Sequence, residues 1–439
     1  MTEPLRIGVA GLGTVGASLV RLLADNASTY RRRFGRPVKV TAVSARDKTK
    51  DRGLDLTGIV WFDDPVALAK SADVDCVVEL MGGADGKAKD TVEAALAAGK
   101  SVVTANKALL AKHGNALAAL AETNGVQLNF EAAVAGGIPA IKAMRESLAG
   151  NRVERVAGIL NGTCNYILSR MELEGLSFET VLADAQRLGY AEADPTFDVG
   201  GFDTAHKLAI LASLAFGTAI DADAVYVEGI ASIAPLDLRM ADELGYRIKL
   251  LGVAERTATG IEQRVHPTMV PKTSAIAQVM GVTNAVSILA EPVGELTLVG
   301  PGAGGNATAS SVLSDLGDIA RGTRLPAYGV AARDLEATEQ APMQRHEGGY
   351  YIRLSVLDRP GAAASIATRM AERQISLESI VQRKPPQTKD TAPRASEAPA
   401  VPVVLITYAT TETAVRAALE AVMADGHIAE PPQLIRIER

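Results

Sequence analysis

The sequence has few cysteines, no long apolar run and no excess of positive charge. Only Cys76 and Cys164 occur in 439 residues, so a disulfide framework is not expected and a reducing cytoplasm is the expected location. The longest apolar run, around residues 208–220, is shorter than the roughly 20 residues of a transmembrane helix, and no basic-then-apolar leader opens the chain. A formal net charge of −6 gives no reason to expect nucleic acid or an anionic membrane surface as a partner.

The length of the chain predicts two or three domains. From residue 5 to about residue 131, short apolar strands such as Val38–Ser44 and Val126–Glu131 alternate with helical segments. This order predicts an α/β fold with a parallel, doubly wound sheet. Ligands of such sheets bind beyond the carboxyl ends of the strands.

A glycine-rich turn follows the first predicted strand, Ile7–Ala10, and leads into a helix. In such a turn one glycine allows a tight bend, the second lets the backbone approach a pyrophosphate, and the third lets helix and strand pack closely. The free N–H groups at the helix N-terminus suit phosphate. A turn without a ligand is the alternative, but the strand, turn and helix order favours a Rossmann-type dinucleotide site. The predicted cofactor contacts in this turn are Gly11, Leu12, Gly13, Thr14, Val15 and Gly16.

The end of the second strand bears on the choice of cofactor. An NAD enzyme usually has an acidic residue here for the ribose hydroxyls. This chain has Arg46 and Lys48, which suit the 2′-phosphate of NADP, with Asp47 between them as the rival contact. The sequence therefore favours NADP, with NAD and a solvated basic loop as the alternatives.

Polar residues also follow later strands of the predicted sheet. Thr104 and Lys107 come after the strand Ser101–Val103, and Lys107 opens a helix. A lysine at this position fits a solvated side chain as well as a catalytic one. We predict both residues as cofactor contacts, because the carboxyl ends of parallel strands meet at one edge of the sheet.

The segment Leu188–Lys207 concentrates four carboxylates before a single lysine. Pro195 and the pair of glycines at 200–201 predict a loop, and an apolar helix begins near Phe202 or Asp203. Asp203 and Lys207 are four residues apart, so they share a helix face. A solvated ion pair is the bland interpretation. Surplus negative charge beside one lysine suits instead a substrate with an ammonium group that undergoes proton transfer.

These motifs resemble those of homoserine dehydrogenases. Leu188–Lys207 carries the pattern LGYAEADP followed by GxDxxxK, and Gly158–Ile167 carries GILNGTxNYI. The two motifs together are specific, and the resemblance covers nearly the whole chain. It implies NAD(P)-dependent, reversible hydride transfer between L-homoserine and L-aspartate 4-semialdehyde, in the biosynthesis of threonine, methionine and isoleucine.

The resemblance also implies roles for individual residues. Lys207 and Lys107 would face the reacting oxygen and the substrate carboxylate, and which of them is the general acid/base stays open. The implied substrate contacts are Glu192, Asp198, Asp203, Gly162, Thr163 and Tyr190. Backbone N–H groups of the turn Asn161–Thr163 would suit the substrate carboxylate, with a plain turn between strand and helix as the alternative. Gly304, in the segment Gly300–Gly305, would lie beside the cofactor. A monovalent cation such as sodium would be held mostly by backbone oxygens at Glu131, Val134, Gly136 and Ile138.

The C-terminal part of the chain changes character. The alternating strand 349–357, the turn Asp358–Gly361 and the later pattern predict a ferredoxin-like βαββαβ unit, which resembles an ACT domain. Such domains usually bind an amino acid, and threonine is the expected effector. The composition of residues 384–400 predicts a flexible loop within this unit.

The predicted organisation is a nucleotide domain of residues 1–137 plus 300–340, an α+β substrate and dimerisation domain of residues 138–299, and an ACT domain of residues 348–439. A homo-oligomer, either a dimer or a tetramer, is expected. A non-catalytic amino-acid sensor that keeps this fold is the alternative function. A dehydrogenase acting on an amino group is a second rival, which should lack the two substrate motifs.

Overall fold

A computed structural model describes residues 3–382 and 400–438. The predicted loop 384–400 therefore lies, apart from its last residue, outside the described residues. In the described part, no helix is long and apolar enough to cross a membrane. Both cysteines are buried and free.

The N-terminal part forms a six-stranded parallel sheet in the order β3-β2-β1-β4-β5-β6. The apolar sequences of β1 and β4 are buried, which is typical of parallel strands covered by helices on both faces. This confirms the predicted doubly wound sheet. Its strands are β1 (Leu5–Ala10), β2 (Val38–Ser44), β3 (Val60–Phe62), β4 (Cys76–Glu79), β5 (Ser101–Thr104) and β6 (Leu128–Asn129). Its helices are α1 (Thr14–Asp25), α2 (Ala27–Phe34), α3 (Pro65–Lys70), α4 (Lys87–Ala97), α5 (Lys107–Thr123) and α6 (Ala132–Ala135).

A second, larger sheet has 11 strands, and its central path runs β12-β11-β7-β9-β10-β17-β13-β15-β14. One part of it comes from the middle of the chain, where β9 and β10 form a long antiparallel hairpin. The strands of this part are β7 (Arg152–Ile159), β8 (Tyr226–Val227), β9 (Tyr246–Thr257), β10 (Gly260–Pro271), β11 (Thr283–Glu291) and β12 (Gly294–Pro301). The helices are α7 (Ala140–Lys142, continued by a π-helical turn at Ala143–Ser147), α8 (Gly162–Glu174), α9 (Phe178–Arg187), α10 (Thr196–Val199), α11 (Phe202–Phe216), α12 (Pro235–Glu243) and α13 (Gly305–Arg321).

The C-terminal unit has the predicted βαββαβ order and the antiparallel strand arrangement β17-β13-β15-β14. The small strand β16 pairs with β13. The elements are β13 (Glu347–Leu357), α14 (Ala362–Glu372), β14 (Leu377–Gln382), β15 (Ala400–Thr407), β16 (Thr410–Thr411), α15 (Glu412–Ala424) and β17 (Ile428–Ile437).

The C-terminal sheet is continuous with the central one, which the sequence did not predict. β17 pairs with β10 in parallel, with Thr268 opposite Arg436 and Met269 opposite Ile437. β8 pairs with an earlier part of β10, at Arg264 and Val265. Thus β8 and β17 lie one after the other along the same edge of β10. The domain boundaries predicted at residues 137, 300 and 348 stay a prediction.

Two local expectations differ from the structure. The stretch after Pro195 is not a plain loop, because residues 196–199 form the short helix α10, whose first N–H, at Thr196, donates to the Asp194 carboxylate at 3.1 Å. The strand predicted for residues 126–131 shrinks to β6, because the chain turns at Glu131 into α6.

Residues 207–213 of α11 are all buried, as the apolar sequence after its first turn predicts, whereas Phe202 at its start is exposed. Its N-terminus follows Gly201, which has a left-handed φ of +90°. A Cβ there would also lie only 3.1 Å from methyl groups of Val227 and Val265. The helix start, with its carboxylate and lysine, is thereby fixed against β8 and β10.

Candidate active site

The glycine turn between β1 and α1 has the geometry that a phosphate-binding turn needs. Gly11 has φ +110°, and a Cβ there would lie 2.6 Å from the carbonyl oxygen of Leu80. A Cβ on Gly16 would lie 2.0 Å from the Gly11 oxygen, so this glycine allows α1 to pack on the turn. Gly13 faces open space. The position next to the helix N-terminus is therefore the one left free for a ligand.

The carboxyl ends of β4 and β5 are tied together by a buried glutamate. One Glu79 oxygen accepts the Met81 N–H at 2.7 Å and the Gly82 N–H at 3.2 Å, while the other accepts the Thr104 hydroxyl at 2.6 Å. Asn106 accepts the N–H of Leu109 at 3.1 Å and so caps α5. Thr104, one of the predicted cofactor contacts, is fully buried in this connection, while Lys107 stands at the first position of α5.

Two lysines converge on one buried carboxylate. Lys207 Nζ donates to Asp203 Oδ2 at 2.6 Å and to the Leu160 oxygen at 2.7 Å. Lys107 Nζ lies 2.8 Å from Asp203 Oδ1. The side chains of Asp203, Lys207 and Lys107 are 4%, 11% and 36% exposed, so the pair on α11 is not the solvated ion pair of the bland interpretation. Both catalytic candidates and Asp203 thus form one cluster.

Asn161 joins a second carboxylate to this cluster. Its side-chain N–H groups donate to Asp198 Oδ1 at 2.8 Å and to Asp203 Oδ2 at 3.0 Å, and its oxygen accepts the Cys164 N–H at 2.8 Å. The sequence suggested only backbone N–H donors for the segment 161–163. An asparagine directly before a helix is an N-cap signal, and that signal could have identified the role of this side chain.

The charges of the cluster are strongly coupled. Burial works against ionisation of Asp203, but the two lysines outweigh it and hold the pKa of Asp203 below its usual range. Burial lowers the pKa of Lys207, although Asp203 opposes this shift. Burial also raises the pKa of Asp198, against the hydrogen bond from Asn161. The cluster therefore holds two carboxylates whose pKa values are shifted in opposite directions, beside two amines.

A cavity of about 310 Å³ connects the lysine cluster to the glycine turn. Val15 of the turn and both Lys107 and Lys207 line it. The Gly302 and Ala303 backbone lines it too, and a Cβ on the neighbouring Gly305 would lie 2.6 Å from Ser18 Oγ. The start of α13, with Gly304 at its N-cap, is therefore packed against α1. The remaining lining residues are Leu80, Met81, Gly82, Ala105, Asn106, Ala132, Ala133, Val134 and Thr308.

Other predicted substrate contacts lie around this cluster at different depths. The Thr163 hydroxyl donates to the Tyr190 carbonyl at 2.6 Å, which ties α8 to the acidic segment. The Tyr190 ring is exposed and packs edge-on against Tyr166. A Cβ on Gly162 would lie 2.6 Å from the Val282 oxygen. Glu192 is exposed, and within the described residues its carboxylate has no salt bridge.

The basic loop after β2 is exposed at Arg46 and Lys48. Arg52 was not singled out from the sequence. It donates to the Leu12 carbonyl of the glycine turn at 3.0 Å and to the Asp47 carbonyl at 2.7 Å. A third cation therefore holds this loop against the turn.

The predicted cation segment is a buried turn with oxygen donors. The Glu131 carboxylate accepts the N–H groups of Ile141 and Lys142 at 2.9 and 2.8 Å. Burial and the nearby Asp315 carboxylate raise the pKa of Glu131 to about 7. The Gly136 carbonyl accepts the Ser311 hydroxyl at 2.6 Å. Val134 and Ile138, like Glu131 and Gly136, are in buried backbone near this turn.

The donor chemistry of this turn fits a hard monovalent cation. Oxygens are the preferred ligands of hard cations, and a cation would offset the buried negative charge of Glu131. Within residues 3–382 and 400–438, no group of three or more His, Cys, Asp or Glu residues could hold a metal. A cation here would therefore depend mainly on backbone oxygens.

Comparison with known proteins covers nearly the whole chain. Family models match residues 11–131 (Homoserine dehydrogenase, NAD binding domain), 139–316 (Homoserine dehydrogenase) and 350–421 (ACT domain). A homoserine dehydrogenase of Neisseria gonorrhoeae is 43% identical over 442 residues, covering 99% of both chains.

Two solved structures are similar to this one. The homoserine dehydrogenase from Thiobacillus denitrificans is 43% identical with a TM-score of 0.92, covering 99% of this chain and 98% of that one. A hyperthermophilic archaeal homoserine dehydrogenase in complex with NADPH is 27% identical with a TM-score of 0.62, covering 72% of this chain and 97% of that one.

Proposed function

The chain belongs to the homoserine dehydrogenase family of NAD(P)-dependent oxidoreductases, and on this premise we propose how its own residues perform the reaction. When L-homoserine is oxidised, its C4 hydroxyl loses the proton and C4 loses a hydride, which gives the aldehyde of L-aspartate 4-semialdehyde. The nicotinamide, when bound, accepts the hydride. The protein must hold the amino acid, place its hydroxyl carbon at the cavity, and take up one proton.

The substrate is held where the two lysines that line the cavity meet the carboxylates behind them. Asp198 and Asp203 supply the negative charge for the α-ammonium group, with Glu192 on the exposed side of the same segment. Asn161 holds the first two carboxylates together despite their like charges. Backbone N–H groups at Gly162 and Thr163 receive the substrate carboxylate.

The two lysines have different roles toward the hydroxyl group of the substrate. Lys207 is fixed by Asp203 and by the Leu160 carbonyl, so it orients and polarises the reacting oxygen. Lys107 is the more exposed of the two and can exchange a proton with water. We assign proton transfer to Lys107, since a general base must reach both the hydroxyl and an acceptor for the proton.

The observation that carries this proposal is the one cavity that both lysines share with the glycine turn. The test is homoserine-dependent formation of NADPH, followed by absorbance, with the purified full chain. Turnover with homoserine supports the proposal. Homoserine binding without turnover would favour the non-catalytic sensor instead.

We propose NADP as the preferred cofactor. Arg46 and Lys48 are exposed beside the glycine turn, where a 2′-phosphate would lie, and Arg52 adds a third positive charge to the loop. The archaeal relative binds NADPH. The ratio of kcat/KM for the two cofactors decides, and a preference for NAD would contradict the assignment.

We also propose a monovalent cation at the turn formed by Glu131, Val134, Gly136 and Ile138. Its binding should raise the melting temperature in sodium chloride relative to choline chloride at equal ionic strength. Glu131→Gln should abolish the difference between the two salts. Equal melting temperatures of the wild type in both salts would contradict the proposal of a cation at this turn.

Three further proposals follow from the family and the surface. The ACT domain supports regulation by an amino acid, and we propose threonine as the effector, tested by calorimetry.

A homo-oligomer is supported by the exposed Leu289, Leu296 and Val299 on the edge hairpin β11–β12, and light scattering gives its size. The two free cysteines support a reducing cytoplasm.

A further inference from the structure

The junction between the C-terminal unit and the central sheet contains a cluster of alternating charges, in which Arg436 and Glu412 are buried and Glu228 and Arg416 are partly exposed. Arg436 of β17 is 1% exposed, and its guanidinium binds Glu412 at the start of α15 through two hydrogen bonds of 2.9 and 2.6 Å. The same guanidinium donates to Glu228 Oε2 at 2.8 Å and Oε1 at 3.2 Å. Arg416 reaches Glu228 Oε1 at 3.3 Å. Two arginines and two glutamates thus balance one another, with one carboxylate from outside the C-terminal unit.

Glu228 follows β8 directly, and the residues after it contact the substrate segment. The Ile230 N–H donates to the Val199 carbonyl at 2.9 Å. A Cβ on Gly229 would lie 2.4 Å from the Val199 oxygen, so the two backbones are in direct contact. Val199 is the neighbour of Asp198. Arg436 is therefore linked, through Glu228 and then Gly229 and Val199, to the backbone of Asp198.

The same segment also fixes the start of α11. The Glu228 carbonyl oxygen would lie 3.4 Å from a Cβ on Gly201, which precedes the helix of Asp203 and Lys207. The Glu228 N–H donates to the Val265 carbonyl of β10 at 2.7 Å, which fixes the height of the segment along the sheet. Movement of Glu228 would therefore move the backbone next to both carboxylates that we assign to the ammonium group.

We propose that Arg436 and Glu228 form a positioning pair, through which the C-terminal unit sets the placement of Asp198 and Asp203 in the substrate site. This inference rests on the proposed function and deepens it, because it makes the C-terminal unit part of the working substrate site even without an effector. Neither residue touches the substrate or the cofactor. Their effect reaches the site through the backbone of residues 229–230 and 199–201.

A second ion pair between the same two regions provides a matched control. Arg353 of β13 donates to Asp237 at 2.7 Å, and the Tyr351 hydroxyl donates to the same carboxylate at 2.8 Å. Asp237 lies on α12 and is fully buried. This pair joins the C-terminal unit to α12 instead of to residues 228–230. Arg353→Met should therefore affect stability without affecting the substrate segment.

The test compares Glu228→Gln, Arg436→Met and Arg353→Met in the full chain. Glu228→Gln should raise KM for homoserine about two- to thirtyfold, the effect of substitutions along a contiguous network, with a much smaller change in kcat and in KM for NADP. Arg436→Met should act in the same direction. If it does not fold, Glu228→Gln decides, because the amide keeps the shape of the carboxylate.

Hydrogen–deuterium exchange is the second measurement. Glu228→Gln should speed amide exchange in residues 196–203, and Arg353→Met should leave it unchanged. A KM within about twofold of the wild type, or unchanged exchange in that segment, would overturn the proposal. If the wild type does not oxidise homoserine, the proposed function fails, and the exchange experiment alone then decides the positioning role.

Discussion

Single residues at the site carry more charge into the interior than the sequence suggested. The motif around Asp203 and Lys207 predicted an ion pair on one helix face, and its spacing was correct. Burial and the presence of Lys107 at the same carboxylate were not deducible, because residues 107 and 203 are brought together by packing of α5 on α11. The sequence identified Asp203, Lys207 and Lys107 as site residues, but their mutual contact depends on the tertiary structure.

Replacing either lysine should abolish most turnover. Lys207→Met and Lys107→Met should each lower kcat at least about 10²-fold, the lower end of proton-transfer contributions. Lys112→Met is the control, since this lysine is exposed further along α5 and pairs with Asp85 at the surface. Steady-state kinetics with homoserine and NADP measure the effect. Near-normal turnover would remove the altered lysine from the chemistry.

Lys249 is a buried lysine outside the site. Its Nζ donates to the Val279 carbonyl at 2.6 Å and to Asn165 Oδ1 at 2.9 Å, and burial lowers its pKa to about 7. Because the pKa in the folded state lies below the unfolded value, the lysine destabilises the fold fully below about pH 7. This cost shrinks as pH rises toward the unfolded value.

Lys249→Met should therefore raise the melting temperature relative to the wild type more at pH 6 than at pH 9. Differential scanning fluorimetry at the two pH values measures this difference. Lys70→Met, which removes the charge of an exposed lysine, is the control. A gain that is equal at both pH values would show that the buried charge is not the cause.

At the scale of elements, the sequence pattern predicted the positions of several helices and strands well. It did not predict which side chains would contact each other across them. The bounds of β2 agree with the prediction, and α11 begins where its acidic residue indicated. The predicted loop after Pro195 became α10, since a four-residue turn leaves too weak a periodicity to detect. Asn161 was placed in a turn, but its side-chain contacts depend on α10 and α11 and could not be deduced from its own segment.

The glycine turn separates ligand effects from packing effects. Gly13→Ala should leave the melting temperature unchanged, because the new Cβ meets no protein atom, yet raise KM for NADP at least about tenfold by blocking the pyrophosphate. Gly16→Ala should lower the melting temperature, because its Cβ would meet the Gly11 oxygen. Fluorimetry and kinetics together measure both effects. Unchanged cofactor affinity in Gly13→Ala would argue against a phosphate at this turn.

At the scale of the whole molecule, the sequence predicted the units but not their connection. Each unit follows from its own periodicity and turn signals. The pairing of Met269 with Ile437 joins segments more than 160 residues apart, and no local pattern encodes it. Nor could the charge of Arg436 be matched to Glu228 without the fold.

Removal of the C-terminal unit should expose the edge of β10. A chain ending at residue 345 would lose Arg436 and leave an unpaired stretch of N–H and C=O groups, which favours association with other chains. Size-exclusion chromatography with light scattering should show larger or heterogeneous species than the full chain forms. A single species of unchanged subunit number would show that β17 is not needed to protect this edge.

The continuous sheet also limits how the C-terminal unit can move. Modules joined only by a linker usually respond to ligands by swinging about a hinge. Here a hinge would have to break the hydrogen bonds of β17 to β10 and pull Glu438 away from Arg264. A signal from the C-terminal unit can therefore reach the central sheet without a hinge, through the paired strands and the ion pairs that the two parts share.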